Sequence, residues 1–241
     1  MKKLILTTAL LALAAGAAMA QQTIRMGTEG AYPPYNFIND KGEVDGYERD
    51  LGDELCKRAG LTCTWVKNDW DSIIPNLQSG NYDTILAGMS ITDERKKVID
   101  FTQNYYPPAA SAYAAKAAEV DVTKGVVSAQ TGTIQASHVA ESGATLLEFA
   151  TGEETVAAVR NGEAEAVFAD KDFLVPFVKD SNGELTFVGD DVPLGGGIGM
   201  GLRKSDTELK AKFDAAITEM KKDGTINALI KKWFGADATV Y

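Results

Sequence analysis

Two α/β lobes, each a mostly parallel sheet flanked by helices, with two segments crossing between them, are what this 241-residue chain predicts. Two successive runs of alternating strand-like and helix-like segments carry that reading, because βαβα order builds parallel sheets covered by helices. The other observation is a pair of stretches without clear periodicity. One is Tyr105-Tyr106-Pro107-Pro108-Ala109-Ala110-Ser111-Ala112-Tyr113, and the other is Gly195 to Leu202. A chain that leaves one lobe, builds the second and returns needs two such crossings. The expected division is 21–108 with 203–241 for the first lobe and 109–202 for the second.

The segment before residue 21 is expected to be a cleaved leader. Lys2 and Lys3 precede a short apolar stretch from Leu4 to Met19, and Ala18-Met19-Ala20 fits a signal-peptidase site before Gln21. The stretch is too short and wrongly flanked for a membrane anchor, and no later run is long enough to span. The mature protein is therefore expected to be exported to the periplasm. Ile24 to Thr28 reads as the first strand, and Asn39-Asp40-Lys41-Gly42 supplies turn chemistry. A helix fits Glu48 to Arg58, with Leu51 and Leu55 on one face and Gly60 as its stop. Thr62 to Val66 is a short strand. Asp69 to Gln78 is a helix carrying Ile73, Ile74 and Leu77, shortened by Pro75. Tyr82 to Ala87 is a strand, followed by a helix-like run from Arg95 to Ile99. In the second lobe Gly125 to Ser128 and Ala164 to Ala169 read as strands. Helices open at Gly132-Thr133-Ile134-Gln135 and cover Glu153 to Arg160. Leu209 to Met220 and Ile226 to Phe234 are amphipathic helices separated by Asp223-Gly224.

The chain carries 24 basic and 34 acidic side chains, a net charge of −10, and loss of Lys2 and Lys3 with the leader makes it −12. That sign argues against nucleic acid or an anionic membrane surface as partner. Cys56 and Cys63 are the only cysteines, and in an exported chain they are expected to form a disulfide. A metal site has little to work with, since His138 is the only histidine. No cofactor is implied, and a monomer is expected.

Ligands of α/β sheets sit beyond the carboxyl ends of strands, so the chemistry is sought there. Gly88-Met89-Ser90-Ile91-Thr92-Asp93-Glu94-Arg95 follows an apolar strand. Thr92 is a good N-cap with Asp93 and Glu94 in the first turn. Arg95 then lies beside free helix amides, where a guanidinium can grip a carboxylate with two parallel bonds. Other strand-end loops are Thr28 to Tyr35, Asn68-Asp69-Trp70, Thr131-Gly132-Thr133, and Asp170 after Phe168-Ala169. Each has a plainer reading: a solvated arginine at 95, a solvated loop acid at Glu29, a packing aromatic at Trp70, and helix caps at Thr133 and Asp170.

Taken together, these loops resemble the family 3 bacterial periplasmic solute-binding proteins that serve polar amino-acid ABC importers. The resemblance spans the mature chain. It includes Asp45-Gly46-Tyr47-Glu48-x-Asp50-Leu51, Ile74-Pro75-x-Leu77, Val98-x-x-Phe101-Thr102, Asp223-Gly224-Thr225 and Lys232-Trp233-Phe234. It implies the type II periplasmic binding protein fold and hinge closure on a ligand between the lobes. It also implies that Arg95 holds an α-carboxylate, helped by the Ser90 backbone and by amides at Thr133 and Ile134, while Asp170 pairs with the α-ammonium. Ile134 stands where many relatives carry Thr, so a hydroxyl contact is lost. Side-chain selection is expected from Glu29, Tyr32, Trp70 and the Ala87-Gly88-Met89 strand end. Tyr32 and Trp70 would sandwich an extended cationic side chain, with Glu29 at its far end. Ala87-Gly88 resembles the arginine-preferring members. The expected function is capture of a basic L-amino acid, arginine before lysine or ornithine, for delivery to an inner-membrane permease. The alternatives are a binder of histidine or an opine, and a periplasmic enzyme on the same scaffold, such as a cyclohexadienyl-type dehydratase.

Overall fold

The computed structural model describes residues 23–241, so the expected leader at 1–20 and its cleavage point lie outside the described residues. The chain opens with β1 (Thr23–Thr28), then a small antiparallel sheet of β2 (Ala31–Tyr32), β3 (Asn36–Ile38) and β4 (Val44–Asp45). Helix α1 (Tyr47–Arg58) follows, with Glu48 and Asp50 in its first turn and Lys57 and Arg58 in its last, the polarity that a helix dipole favours. Next come β5 (Thr62–Lys67), a single 3-10 turn at Trp70–Ser72, and α2 (Ile73–Gln78). Pro75 is accommodated because it lies in the first turn of α2, where its missing N–H has no helical acceptor to lose. Strand β6 (Thr84–Ile85), helix α3 (Asp93–Lys96) and β7 (Asp100–Tyr106) complete the outward pass.

The second lobe is built from β8 (Ala110–Ala115), β9 (Val126–Gln130), α4 (Ile134–Ser142), β10 (Thr145–Phe149), α5 (Gly152–Asn161), β11 (Ala166–Asp170), α6 (Lys171–Lys179) and β12 (Thr186–Pro193). The chain returns through β13 (Ile198–Leu202) and ends in α7 (Thr207–Lys222) and α8 (Thr225–Phe234). Sheet order is β5-β1-β6-β13-β7 in the first lobe and β10-β9-β11-β8-β12 in the second. Strand β1 runs parallel to β5 and β6, and β9 runs parallel to β10 and β11. One strand in each sheet is reversed, β13 in the first and β8 in the second. Each reversed strand is the one on which the chain has just crossed from the other lobe.

Both irregular stretches therefore contain strands that the sequence reading missed. Residues 105–113 hold the end of β7 and the start of β8, and 195–202 hold β13. The expected return at 202/203 also moves. Strand β13 is hydrogen-bonded within the first sheet, so the second crossing precedes Ile198. That crossing packs on the loop before Arg95. Ile91 N–H donates to the Gly197 carbonyl at 2.9 Å, Gly196 N–H donates to the Ile91 carbonyl at 3.0 Å, and Ser90 bridges Ile198.

In the first lobe, Met26, Leu51, Leu55, Phe213, Ile217 and Ile230 fill one side of the sheet, and Ile73, Leu77, Ile85, Met89 and Phe101 fill the other. In the second, Val127, Val139, Ala166 and Phe168 are buried together. Cys56 and Cys63 form the expected disulfide, tying the end of α1 to β5 across a Cα–Cα distance of 6.2 Å. Asp83 is held by both Arg25 (2.9 Å) and Arg203 (3.2 Å), joining the β1, β6 and β13 regions.

Candidate functional site

A cleft opens between the lobes, and its lining comes from carboxyl ends of strands on both sides. Glu29 follows β1, Ala87 and Gly88 follow β6, Gln130 ends β9 and Asp170 ends β11. Ten of the eleven ligand-binding residues read from the sequence line it: Glu29, Tyr32, Trp70, Ala87, Gly88, Ser90, Arg95, Thr133, Ile134 and Asp170. Met89 does not. Its side chain is fully buried in the first-lobe core with Ile73 and Leu77, which claims a long apolar group in preference to the polar cleft.

Arg95 sits on a helix shorter than expected, α3 spanning only four residues before the chain turns into β7. Thr92 does cap it, its hydroxyl accepting from Arg95 N–H at 3.1 Å. The guanidinium donates to the Ser90 carbonyl at 2.8 Å and to the Gly132 carbonyl, across the cleft, at 3.4 Å. It also lies over the Trp70 ring, 5.3 Å from its centroid. Burial lowers the Arg95 pKa to about 10, while Asp170 opposes the shift, so the group stays cationic at neutral pH. Arg95 forms no ion pair among the described residues, and a guanidinium held only by carbonyls and a ring face retains capacity for an anion.

Asp170 occupies the N-cap position of α6, but its side chain makes no capping bond. The carboxylate instead accepts from Tyr32 O–H at 2.8 Å and from Gln135 Nε2 at 2.9 Å. Burial raises its pKa to about 6. Thr133 is a cap: its hydroxyl accepts from Ala136 N–H at 3.1 Å and donates to the Gln130 carbonyl at 2.7 Å. Its own N–H points to the Gln130 carbonyl at 3.3 Å, which leaves Ile134 as the better placed of the two expected amides.

At the other end, Glu29 is only 3% exposed, and one oxygen accepts from Gln130 Nε2 at 2.6 Å. Burial pushes its pKa up to about 7, partly offset by Gln130 and reinforced by the neighbouring Glu48. The expected aromatic sandwich is narrowed. Tyr32 stacks on Phe173 at 4.2 Å with the rings 3° from parallel, and Trp70 faces the Arg95 guanidinium. Tyr32 also stacks on Tyr35 at 5.8 Å and is itself buried, so little of its ring is left for a ligand.

The sequence reading passed over Gln130 and Gln135, which orient Glu29 and Asp170. Gln130 lies at a strand end and Gln135 in the first turn of α4, the places where the other site residues were sought. Uncharged amides did not stand out there.

A reversed strand in each sheet, two crossings and a cleft lined from both lobes define the two-lobed type II periplasmic binding fold. Residues 24–236 match the bacterial extracellular solute-binding proteins, family 3, and the chain belongs to that family. It is a periplasmic solute-binding protein. It is 35% identical to the putative ABC transporter arginine-binding protein 2 of Escherichia coli, over 97% of this chain and 99% of that one. It is 36% identical to the histidine-binding periplasmic protein of Escherichia coli, over 98% of each chain. Among solved structures, a periplasmic His/Glu/Gln/Arg/opine family-binding protein from Silicibacter pomeroyi in complex with lysine superposes with a TM-score of 0.89. The two are 77% identical, covering 90% of this chain and 100% of that one.

Proposed function

We propose that this protein is the periplasmic component of an ABC importer for a basic L-amino acid, arginine first and then lysine or ornithine. Amino-acid capture for such an importer rests on the family and on what its relatives are named for binding. The basic side chain rests on one observation, the charge balance of the cleft. Arg95 and Asp170 match the carboxylate and ammonium of any amino acid, and Glu29 then stands as a further carboxylate at the far end. A ligand with one extra positive charge neutralises that sum, whereas an acidic side chain would add a second buried anion beside Glu29.

Closure would be driven by contacts that need both lobes. Arg95 and Glu29 belong to the first lobe, and Asp170 and the start of α4 to the second, so a zwitterion joins them only when the lobes meet. The permease would then read the closed form.

Calorimetric titration with a panel of amino acids tests the reading. Arginine, lysine or ornithine should bind more tightly than glutamine, and glutamate should bind least. Preference for acidic or aliphatic amino acids over arginine would overturn it.

A further inference from the structure

Glu48 is a buried acid that the ligand reading does not use. It is 0% exposed, lies in the first turn of α1, and does not line the cleft. One carboxylate oxygen accepts from Gly88 N–H at 2.7 Å and from the Tyr105 hydroxyl. The other accepts from Asn36 Nδ2 at 2.7 Å. Asn36, also 0% exposed, uses its own carbonyl oxygen to accept from Gly30 N–H at 2.7 Å. One relay therefore holds the two backbone segments that shape the side-chain end of the cleft, Gly30 directly after Glu29 and Gly88 opposite Tyr32. Burial pushes the Glu48 carboxyl up, while its three donors pull it down. Three converging donors are what an acceptor-only carboxylate satisfies.

We infer that Glu48 is a positioning residue for the ligand's side chain, setting the location of Gly88 directly and that of Glu29 through the Asn36 relay. It acts by donor–acceptor order. A glutamine at 48 can offer its carbonyl to Gly88 and Tyr105, but its amide then faces the Asn36 amide. Rotating Asn36 to accept that amide turns its own NH2 toward Gly30 N–H. Without that rotation two NH2 groups face each other and push Asn36 off Gly30; with it, Gly30 loses its acceptor. Moving the charge instead of deleting it cures the mismatch. In the Asn36→Asp/Glu48→Gln pair, the aspartate accepts from Gly30 and from the glutamine amide, and the glutamine carbonyl still serves Gly88 and Tyr105.

The inference rests on this cleft being the ligand site, and the test is arginine affinity by calorimetry at 25 °C, with circular dichroism to check folding. Glu48→Gln should bind arginine about tenfold to a hundredfold more weakly, the range for a buried group left without its partner. The double variant should recover to within about threefold of wild type. A residue that only stabilises the fold would lower the melting temperature of Glu48→Gln and leave arginine affinity unchanged. That result overturns the inference, as does a double variant that binds no better than Glu48→Gln. Should the single variant fail to fold, amide exchange in the wild-type protein decides: Gly30 and Gly88 should be strongly protected, and rapid exchange at both refutes the relay. If wild type binds glutamine and not arginine, the basic-ligand reading falls, and the same variants titrated with glutamine still judge Glu48.

Discussion

Replacing Glu29 with glutamine should make the ligand-free protein more stable and a poorer binder. The carboxyl is almost wholly buried, its pKa rises from 4.5 to about 7, and burial is the largest cause. A carboxyl raised by folding contributes stability below its unfolded pKa and loses it as pH climbs through the folded value, so the cost accumulates between pH 4.5 and about 7. A shift of that size corresponds to a ceiling of about 3 kcal/mol at pH 8. Glutamine avoids the charge and still accepts the Gln130 hydrogen bond. Ligand-free melts at pH 8 should therefore favour Glu29→Gln, and the advantage should shrink toward pH 4.5. Arginine affinity should move the opposite way, falling by at least about thirtyfold at pH 8 because the ligand's cation meets a neutral amide. A variant that is less stable than wild type at pH 8 without ligand, or that keeps wild-type arginine affinity, refutes the assignment of Glu29 as a strained acid reserved for a cation.

Arg95→Ala should weaken every amino acid in a calorimetric panel by at least about a hundredfold, since all share the carboxylate it is assigned to hold. Arg95→Lys should recover little, because an ammonium cannot reproduce the two-pronged grip. Opening the Cys56–Cys63 bridge by Cys→Ser at both positions should cost roughly 2.5 kcal/mol by the loop-entropy estimate. Chemical denaturation would measure that loss, while arginine affinity at 25 °C stays unchanged because the bridge is remote from the cleft. Gly197→Ala should destabilise by about 1–3 kcal/mol, because its φ is +86° and an added Cβ would lie 2.7 Å from the Tyr106 carbonyl. A wild-type melting temperature for that variant would show that the crossing yields easily.

The lobed α/β plan was legible because its helices and parallel strands carry strong local signals, such as Leu51 and Leu55 on one face of α1. Strand β10, helix α6 and strand β12 went unread, and so did β7, β8 and β13. In β8 and β13 nearly every residue is buried, and in β7 the buried residues come in adjacent pairs, which removes the alternation that marks a half-exposed strand. The glycines of β13 disguise it further, and one has a visible packing cause: a Cβ on Gly199 would come within 2.8 Å of Ile91. Within the cleft, the charged residues announced themselves, since an arginine or aspartate at a buried strand end needs a partner. Gln130 and Gln135 carry no such signal, and their roles emerge only when the fold sets them beside Glu29 and Asp170. Met89 was misplaced for a related reason. Strand-end position was legible, but which side of the backbone its side chain takes depends on the core behind it.

Under the proposed closure, the backbone pairing of Ser90 and Ile91 with Gly196 to Ile198 puts the grip and the axle of this molecule on the same piece of chain. The carbonyl that steadies the Arg95 guanidinium is one residue from an amide bonded to the return crossing. A clamp built this way has no slack between jaw and pivot. A small displacement of the jaw is felt as torsion at the pivot, without passing through a layer of side chains. Tightness of hold and ease of reopening are then not separate settings, and a substitution made here to adjust one will shift the other.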